Sequence, residues 1–69
     1  MSEKATLVYL ILLEKSSYNR DHEAAYMGEQ NLILSPDERR QIINELKSNR
    51  KIKDVNPMGQ TYFSCIVIG

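Results

Sequence analysis

The side chains of this chain that are able to do chemistry are few and lie in two places. Asp21, His22 and Glu23 are consecutive, and Cys65 is the only cysteine. Carboxylate, imidazole and thiol groups are metal ligands, and a cysteine beside a histidine is a nucleophilic pair. Consecutive side chains point in different directions, so Asp21, His22 and Glu23 do not converge on one ion. We interpret them as a solvated polar segment, with His22 as a weak pH-sensitive contact.

Cys65 lies between Ser64 and Ile66 in an apolar stretch. An apolar setting raises the pKa of a thiol and suppresses its reactivity, so we interpret this residue as a small buried hydrophobe. The acidic residues show no pairing typical of acid and base catalysis, and Gly28 and Gly59 belong to no phosphate-binding motif. The sequence therefore predicts a protein that is not an enzyme and uses no cofactor or metal.

The length of the chain limits how stable it can be alone. At 69 residues it is one domain at most, and a core of this size supplies roughly 3 to 5 kcal/mol. One cysteine cannot form an intramolecular disulfide, and one cysteine with one histidine cannot form a zinc site of the usual kind. Self-association, or docking on a larger partner, is the remaining source of stability.

Charge is balanced over the whole chain and unbalanced within it. Nine basic residues stand against nine acidic ones, so there is no overall attraction for polyanions. Residues 39–53 nevertheless hold six basic side chains and a single acidic one, Glu45. We expect any anion-binding surface to lie there.

The apolar run LVYLILL, residues 7–13, is too short for a membrane span, which needs about 20 residues. Glu14 and Lys15 follow it at once, without the small residues of a signal-peptide cleavage site. We expect no membrane association and a cytoplasmic location, where a lone thiol stays reduced.

The first half of the chain gives weak secondary-structure signals. Residues 5–13 lack a 3.6-residue period, which favours a strand with two apolar faces. Residues 14–30 read as a loop, or as two helical turns over DHEAAYM, capped by Asp21 or Asn19 and ended by Gly28. Residues 31–34, NLIL, are either a short strand or an apolar lead-in to the next element.

The stretch SPDERRQIINELKSNRK, residues 35–51, predicts a helix clearly. Ser35 as N-cap and Glu38 three residues later form a capping box, and Pro36 suits the first helical position. Its apolar stripe is Ile42, Ile43 and Leu46, extended by the stems of Arg39 and Arg50, and we expect Asn49 to end the helix in the left-handed conformation.

The segments KIKDV and QTYFSCIVI flank NPMG, which predicts a β-hairpin. Pro57 suits the first central position of a type I turn and Gly59 the left-handed position after it, giving a three-residue loop. This register places Val55, Phe63, Cys65 and Val67 on one face of the hairpin, and Tyr62, Ser64, Ile66 and Ile68 on the other.

These elements predict an α+β fold of two layers, in which a small antiparallel or mixed sheet of three to four strands packs on one main helix. The predicted order is β-(β)-α-β-β. One helix covers only one face of such a sheet, and an uncovered apolar face is unusual for a monomer. We therefore expect a homodimer or a docking surface, unless residues 17–30 fold over that face. The expected self-association residues are Leu7, Tyr9, Ile11, Ile66 and Ile68.

The predicted helix is also polarised across its axis. Arg40, Asn44, Lys47 and Lys51 fall in one stripe, and Glu38 and Glu45 lie on the opposite flank. Two lysines four residues apart cost a few tenths of a kcal/mol, which a docking surface would tolerate. The alternative is that these side chains are only solvated and complement the helix dipole.

Two functional hypotheses follow from these patterns. The preferred one is a small non-enzymatic regulator or inhibitor that occupies the surface of another protein, of a kind found among host-targeting proteins of phages and other mobile elements. The alternative is a nucleic-acid-binding protein that uses the basic flank and the hairpin, with Tyr62 or Phe63 stacking on a base. The candidate partner-binding residues are Arg40, Asn44, Lys47, Arg50, Lys51, Lys53 and Tyr62.

Overall fold

The computed structural model describes residues 1–17 and 21–68. Within these residues the order of elements is α1 (Glu3–Lys15), β1 (His22–Tyr26), α2 (Pro36–Ser48), β2 (Ile52–Pro57) and β3 (Phe63–Val67). The three strands form an antiparallel sheet in the order β1-β3-β2, with β3 at the centre. The α+β class is confirmed. The predicted element order is partly wrong, because the chain begins with a helix where a strand was expected, so that the described residues form two helices instead of one main helix. The later order of a helix followed by two strands is as predicted.

The segment predicted as the first strand is the helix α1. Ser2 is its N-cap, and the Ser2 side chain accepts a hydrogen bond of 3.2 Å from the backbone N–H of Ala5. Glu3 in the first turn and Lys15 in the last turn complement the helix dipole. Ala5, Val8 and Leu12 are buried, a helical spacing that an unbroken apolar run conceals.

The segment DHEAAYM forms no helical turns. His22–Tyr26 is the edge strand β1, because Ala24 and Tyr26 alternate inward while Glu23 points outward, a period of two. This strand joins the sheet and does not cover its second face. Asn19, the alternative cap for the predicted turns, lies outside the described residues.

Residues 31–34 are a lead-in and form no strand. Glu29 and Leu32 make a single bridge across a tight turn, closed by a hydrogen bond of 2.9 Å from the Leu32 N–H to the Glu29 carbonyl. Leu34, just before α2, is fully buried. The turn and Leu34 together fix the start of α2 against the core.

Helix α2 is confirmed, with both hydrogen bonds of the capping box at 3.2 Å between Ser35 and Glu38. Ile42 and Leu46 are buried, and Ile43 packs at the edge of the core. The predicted left-handed end at Asn49 is wrong: its φ is −90°, and Arg50 takes the positive φ of 56°.

The hairpin of β2 and β3 is confirmed, but its turn differs from the prediction. Pro57 pairs with Phe63, so the loop has residues 58–62, closed by a hydrogen bond of 3.2 Å from the Met58 N–H to the Tyr62 carbonyl. Strand β2 is an outer strand, where a proline is tolerated because no ladder hydrogen bond is lost on the open side. The register is interrupted by a bulge between Lys53 and Asn56.

One core lies between the sheet and the two helices. Phe63, Cys65 and Val67 lie on one face of β3, as predicted; all three are buried, and Val55 packs against the core they join. The Tyr26 ring stacks on Phe63 at 5.7 Å between centroids, while the Tyr26 hydroxyl is buried and has no hydrogen-bond partner within the described residues. Buried residues of both helices and of all three strands belong to this one core, so both helices cover the same face of the sheet.

Candidate interaction surface

The residues able to do chemistry are kept apart by the fold. Cys65 pairs with Ala24, whereas His22 pairs with Val67 at the exposed end of β1. Burial raises the pKa of the Cys65 thiol to about 12, as expected for an apolar site. The described residues bring together no group of three or more metal-ligating side chains.

The acidic flank of α2 is used within the chain. Glu45 accepts two hydrogen bonds from Ser2, one from the backbone N–H at 2.7 Å and one from the hydroxyl at 2.8 Å. Glu38 forms an ion pair with Lys4. The pKa of Glu38 lies below its ordinary value, chiefly because of the Lys4 hydrogen bond, and the pKa of Glu45 is lowered chiefly by the Ser2 N–H.

These contacts give the polarity of α2 a structural reason. The two carboxylates fasten the start of α1, so the acidic flank serves folding and the basic flank is the side left outside. The sequence could not show this, because Ser2 and Glu45 are 43 positions apart.

The basic flank of α2 is exposed along most of its length. Arg40, Asn44 and Lys47 are solvent-exposed, and Arg40 makes only a loose pair with Asp37 at 3.7 Å. Lys51 makes a contact within the chain, since its ammonium group lies 5.4 Å from the centroid of the Tyr9 ring, a cation–π distance.

The other predicted partner-binding residues are dispersed. Arg50 is exposed just after α2, and Lys53 on β2 forms an ion pair of 3.3 Å with Asp21. Tyr62 lies in the hairpin loop, where its carbonyl accepts a 3.2 Å hydrogen bond from Arg39 in the first turns of α2. Lys47 is eight residues further along the helix, about 12 Å. The structure therefore separates the aromatic ring from the basic end of α2.

The predicted self-association residues do not form one surface. Leu7 and Ile11 lie on α1, Tyr9 is beside Lys51, Ile66 belongs to β3, and Ile68 follows the end of that strand. Ile66 and Ile68 are partly exposed, and Ile66 lies on the face of β3 opposite Cys65 and Val67, where Ser64 is buried. The basis of the prediction, a two-faced apolar strand at residues 5–13, is wrong because that segment is helical.

An apolar groove that the sequence analysis missed lies along the outer side of α1. The side chains of Leu7 and Leu10 are large and apolar, and yet 43% and 53% of their surface is exposed to solvent. Together with Ile11 and with Leu32 of the 29–32 turn they line a groove of about 680 Å³. We call this surface the α1 groove. Its residues on α1 follow the helical spacing i, i+3, i+4, which would have revealed it had the segment been assigned as a helix.

The rim of the α1 groove is acidic and polar. Glu14 and Glu29 border it, with Gln30 and Asn31 on the turn. Lys15 forms an ion pair of 3.0 Å with Glu29. Within the described residues no basic side chain pairs with Glu14, so the groove combines an apolar floor with a negative edge.

Neither helix of the described part of the chain has the length and apolar content required to cross a membrane. Comparison of the chain with protein-family models, with curated proteins and with solved structures gives no match.

Proposed function

We propose that this protein is a small non-enzymatic regulator or inhibitor that acts by occupying the surface of another protein, and that the α1 groove is the surface it uses. The observation that carries the proposal is the exposure of Leu7 and Leu10 beside Ile11 and Leu32. Large apolar side chains gathered in a groove are typical of binding sites rather than of ordinary surface.

The energetics support binding at this surface. Full burial of a leucine side chain gains about 1.5 to 3 kcal/mol, so burying two half-exposed leucines gains about 1 kcal/mol each. Ile11 and Leu32 are already partly buried, which means that the floor of the groove is preformed and little is lost in ordering it. The cytoplasm is the proposed setting, since the single thiol is of the kind kept reduced there.

Site-specific photo-cross-linking tests this proposal. A photoreactive benzoylphenylalanine replaces Leu10 in one variant and the exposed Asn44 of α2 in a matched control. In the cells that produce the protein, we expect one discrete cross-linked protein from position 10, which disappears when Leu7 is also changed to Ser. Equal cross-linking from position 44, or none from position 10, would contradict the proposal.

The second candidate function is nucleic-acid binding, favoured by the exposed basic flank with Arg40, Lys47 and Arg50. Such binding is dominated by phosphate contacts and weakens steeply as salt rises. We expect the Lys47→Glu, Lys51→Glu double variant to abolish binding of random oligonucleotides at low salt, if the flank serves this role.

The control for that measurement is Met27→Glu, Gln30→Glu, Asn31→Glu, Ile33→Glu, which lowers the net charge by the same four units at exposed positions outside α2 and the hairpin. The fluorescence anisotropy of labelled DNA and RNA reads out both. Absence of binding by the unmodified protein at low salt removes this candidate.

Self-association is a separate proposal, and the partly exposed Ile66 and Ile68 are the residues proposed to carry it. Sedimentation at tens of micromolar should show a dimer that Ile66→Lys disrupts. A monomer of 8.0 kDa would contradict it and leave the α1 groove proposal intact.

A further inference from the structure

We infer that the occupant of the α1 groove is an amphipathic helix of a partner protein whose apolar stripe is flanked by lysine or arginine side chains. This inference rests on the proposed function and adds the chemical class of the partner. It follows from the shape of the groove, from the charge at its rim, and from what two copies of the groove would do to each other.

The shape of the groove fits a helix. Leu7, Leu10 and Glu14 follow one another along the same side of α1, and the span from the first to the last is about 10 Å, or two helical turns. The 29–32 turn forms the opposite wall through Leu32. An apolar groove beside a helix is the kind of surface into which an amphipathic helix lays its i, i+3, i+4 and i+7 residues.

The charge at the rim selects the flanks of that helix. Both charged residues that line the groove, Glu14 and Glu29, are acidic. Lys15 forms an ion pair with Glu29, which leaves Glu14 as the charge at the rim without a basic partner among the described residues. The exposed Glu3, one turn before Leu7, adds a second negative charge on the same side of α1. A segment with basic residues beside its apolar stripe would meet opposite charges at this edge, which raises association rate and selectivity.

A second copy of this chain is a poor occupant. The outward stripe of α1 has Glu3 at one end and Glu14 at the other. Antiparallel pairing of two such helices places Glu3 of one near Glu14 of its partner, and parallel pairing places each glutamate near its own equivalent. Both arrangements bring like charges together. A nucleic acid is excluded for the same reason, since its phosphates would meet the carboxylates.

Designed peptides test the inference directly. The probe is a fluorescent helical peptide of about 18 residues, five turns, with a leucine stripe flanked by lysines. A second peptide has the same stripe flanked by glutamates, and a third has the lysines with the stripe changed to serine. Fluorescence anisotropy gives the affinity of each for the full chain.

We expect the lysine-flanked peptide to bind about tenfold more tightly than the glutamate-flanked one, a difference of about 1.4 kcal/mol. The preference should shrink near 1 M salt, where charges are screened beyond about 3 Å. Leu10→Ser should weaken both leucine-containing peptides, and the serine-stripe peptide should not bind.

Charge reversal gives the sharpest readout. Glu14→Lys should invert the preference between the two leucine-containing peptides, whereas Glu23→Lys, an exposed residue of β1, should leave it unchanged. Thermal unfolding of each variant confirms that the fold is retained. Equal affinity for both peptides overturns the inference and leaves the proposed function standing. Binding that survives Leu10→Ser, or no binding of either peptide, also overturns it, and the cross-linking experiment then judges the proposed function separately.

Discussion

Helices α1 and α2 are each 13 residues long and are built in opposite ways. Helix α2 has a capping box, a proline at its start, a narrow apolar stripe and a polar outer side. Helix α1 is apolar on nearly every side, and two of its leucines are left in solvent. The apolar side of α2 is buried within the domain. Helix α1 leaves apolar surface that the rest of the described chain does not cover. This exposed surface is the physical reason for the partner proposed there.

The two helices also depend on each other unequally. The local signals of α2 favour its formation without outside help, whereas the start of α1 is held by Glu38 and Glu45 of α2 through Lys4 and Ser2. Helix α2 therefore provides the contacts that hold the start of α1 in position.

The largest expected effect separates the two sides of α1. Leu12→Ala removes a fully buried side chain and should cost about 2 to 5 kcal/mol, enough to unfold much of a domain of this size. Leu10→Ala should change stability by about 0.5 kcal/mol or less, because Leu10 is exposed. Urea unfolding followed by circular dichroism measures both. A similar loss from the two variants would show that the outer side of α1 is covered in solution, and the contrast between the helices would fail.

Removing the helix caps should have an intermediate effect. Ser35→Ala in α2 is expected to cost about 1 kcal/mol, since one N-cap hydrogen bond is lost. Ser2→Ala in α1 should cost at least as much, because the same hydroxyl that caps α1 also donates to Glu45. Ser48→Ala, an exposed position at the end of α2, is the control. A harmless Ser2→Ala would contradict the view that α1 depends on this fastening.

Acid should weaken the attachment of α1 to α2. The pKa values of Glu38 and Glu45 lie below the ordinary 4.5 in the folded protein, so both carboxylates favour the fold when ionised. Their contribution is present above about pH 4.5 and is lost as the pH falls through the lowered values. Urea midpoints at about pH 7 and pH 3 should fall less in Glu38→Gln, Glu45→Gln than in the unmodified protein. An equal fall in both would show that other carboxylates control the acid response.

The smallest expected effect compares two lysines of the basic flank. Lys51→Met removes the cation–π contact with Tyr9 and should cost about 0.5 kcal/mol, while Lys47→Met, at an exposed position, should be neutral. Thermal melting resolves this difference. Equal effects would mean that Lys51 is as unconstrained as the rest of the flank.

The helices also show what a sequence can reveal. Helix α2 was predictable because Ser35, Pro36 and Glu38 are local signals that need no neighbour. Helix α1 was not, because an unbroken apolar run satisfies both the helical and the strand period, and only the Ser2 cap and the length of the segment favour the helix.

The α1 groove was out of reach for a related reason. Its second wall is Leu32, whose position beside α1 depends on the tertiary fold. The basic flank was predictable from helical spacing, but the role of Glu38 and Glu45 in holding Lys4 and Ser2 was not, since that contact joins distant parts of the chain.

The bulge in β2 has a consequence for larger assemblies. Strand β2 forms one border of the sheet, and there Asp54 adopts a positive φ of 51°, Pro57 lacks an N–H, and Lys53 adds an exposed charge. An incoming strand would meet a broken row of donors and acceptors at this border. A row of folded subunits joined edge to edge needs a usable border on both sides of each subunit, so pairing of folded molecules through the opposite border, β1, stops at two molecules.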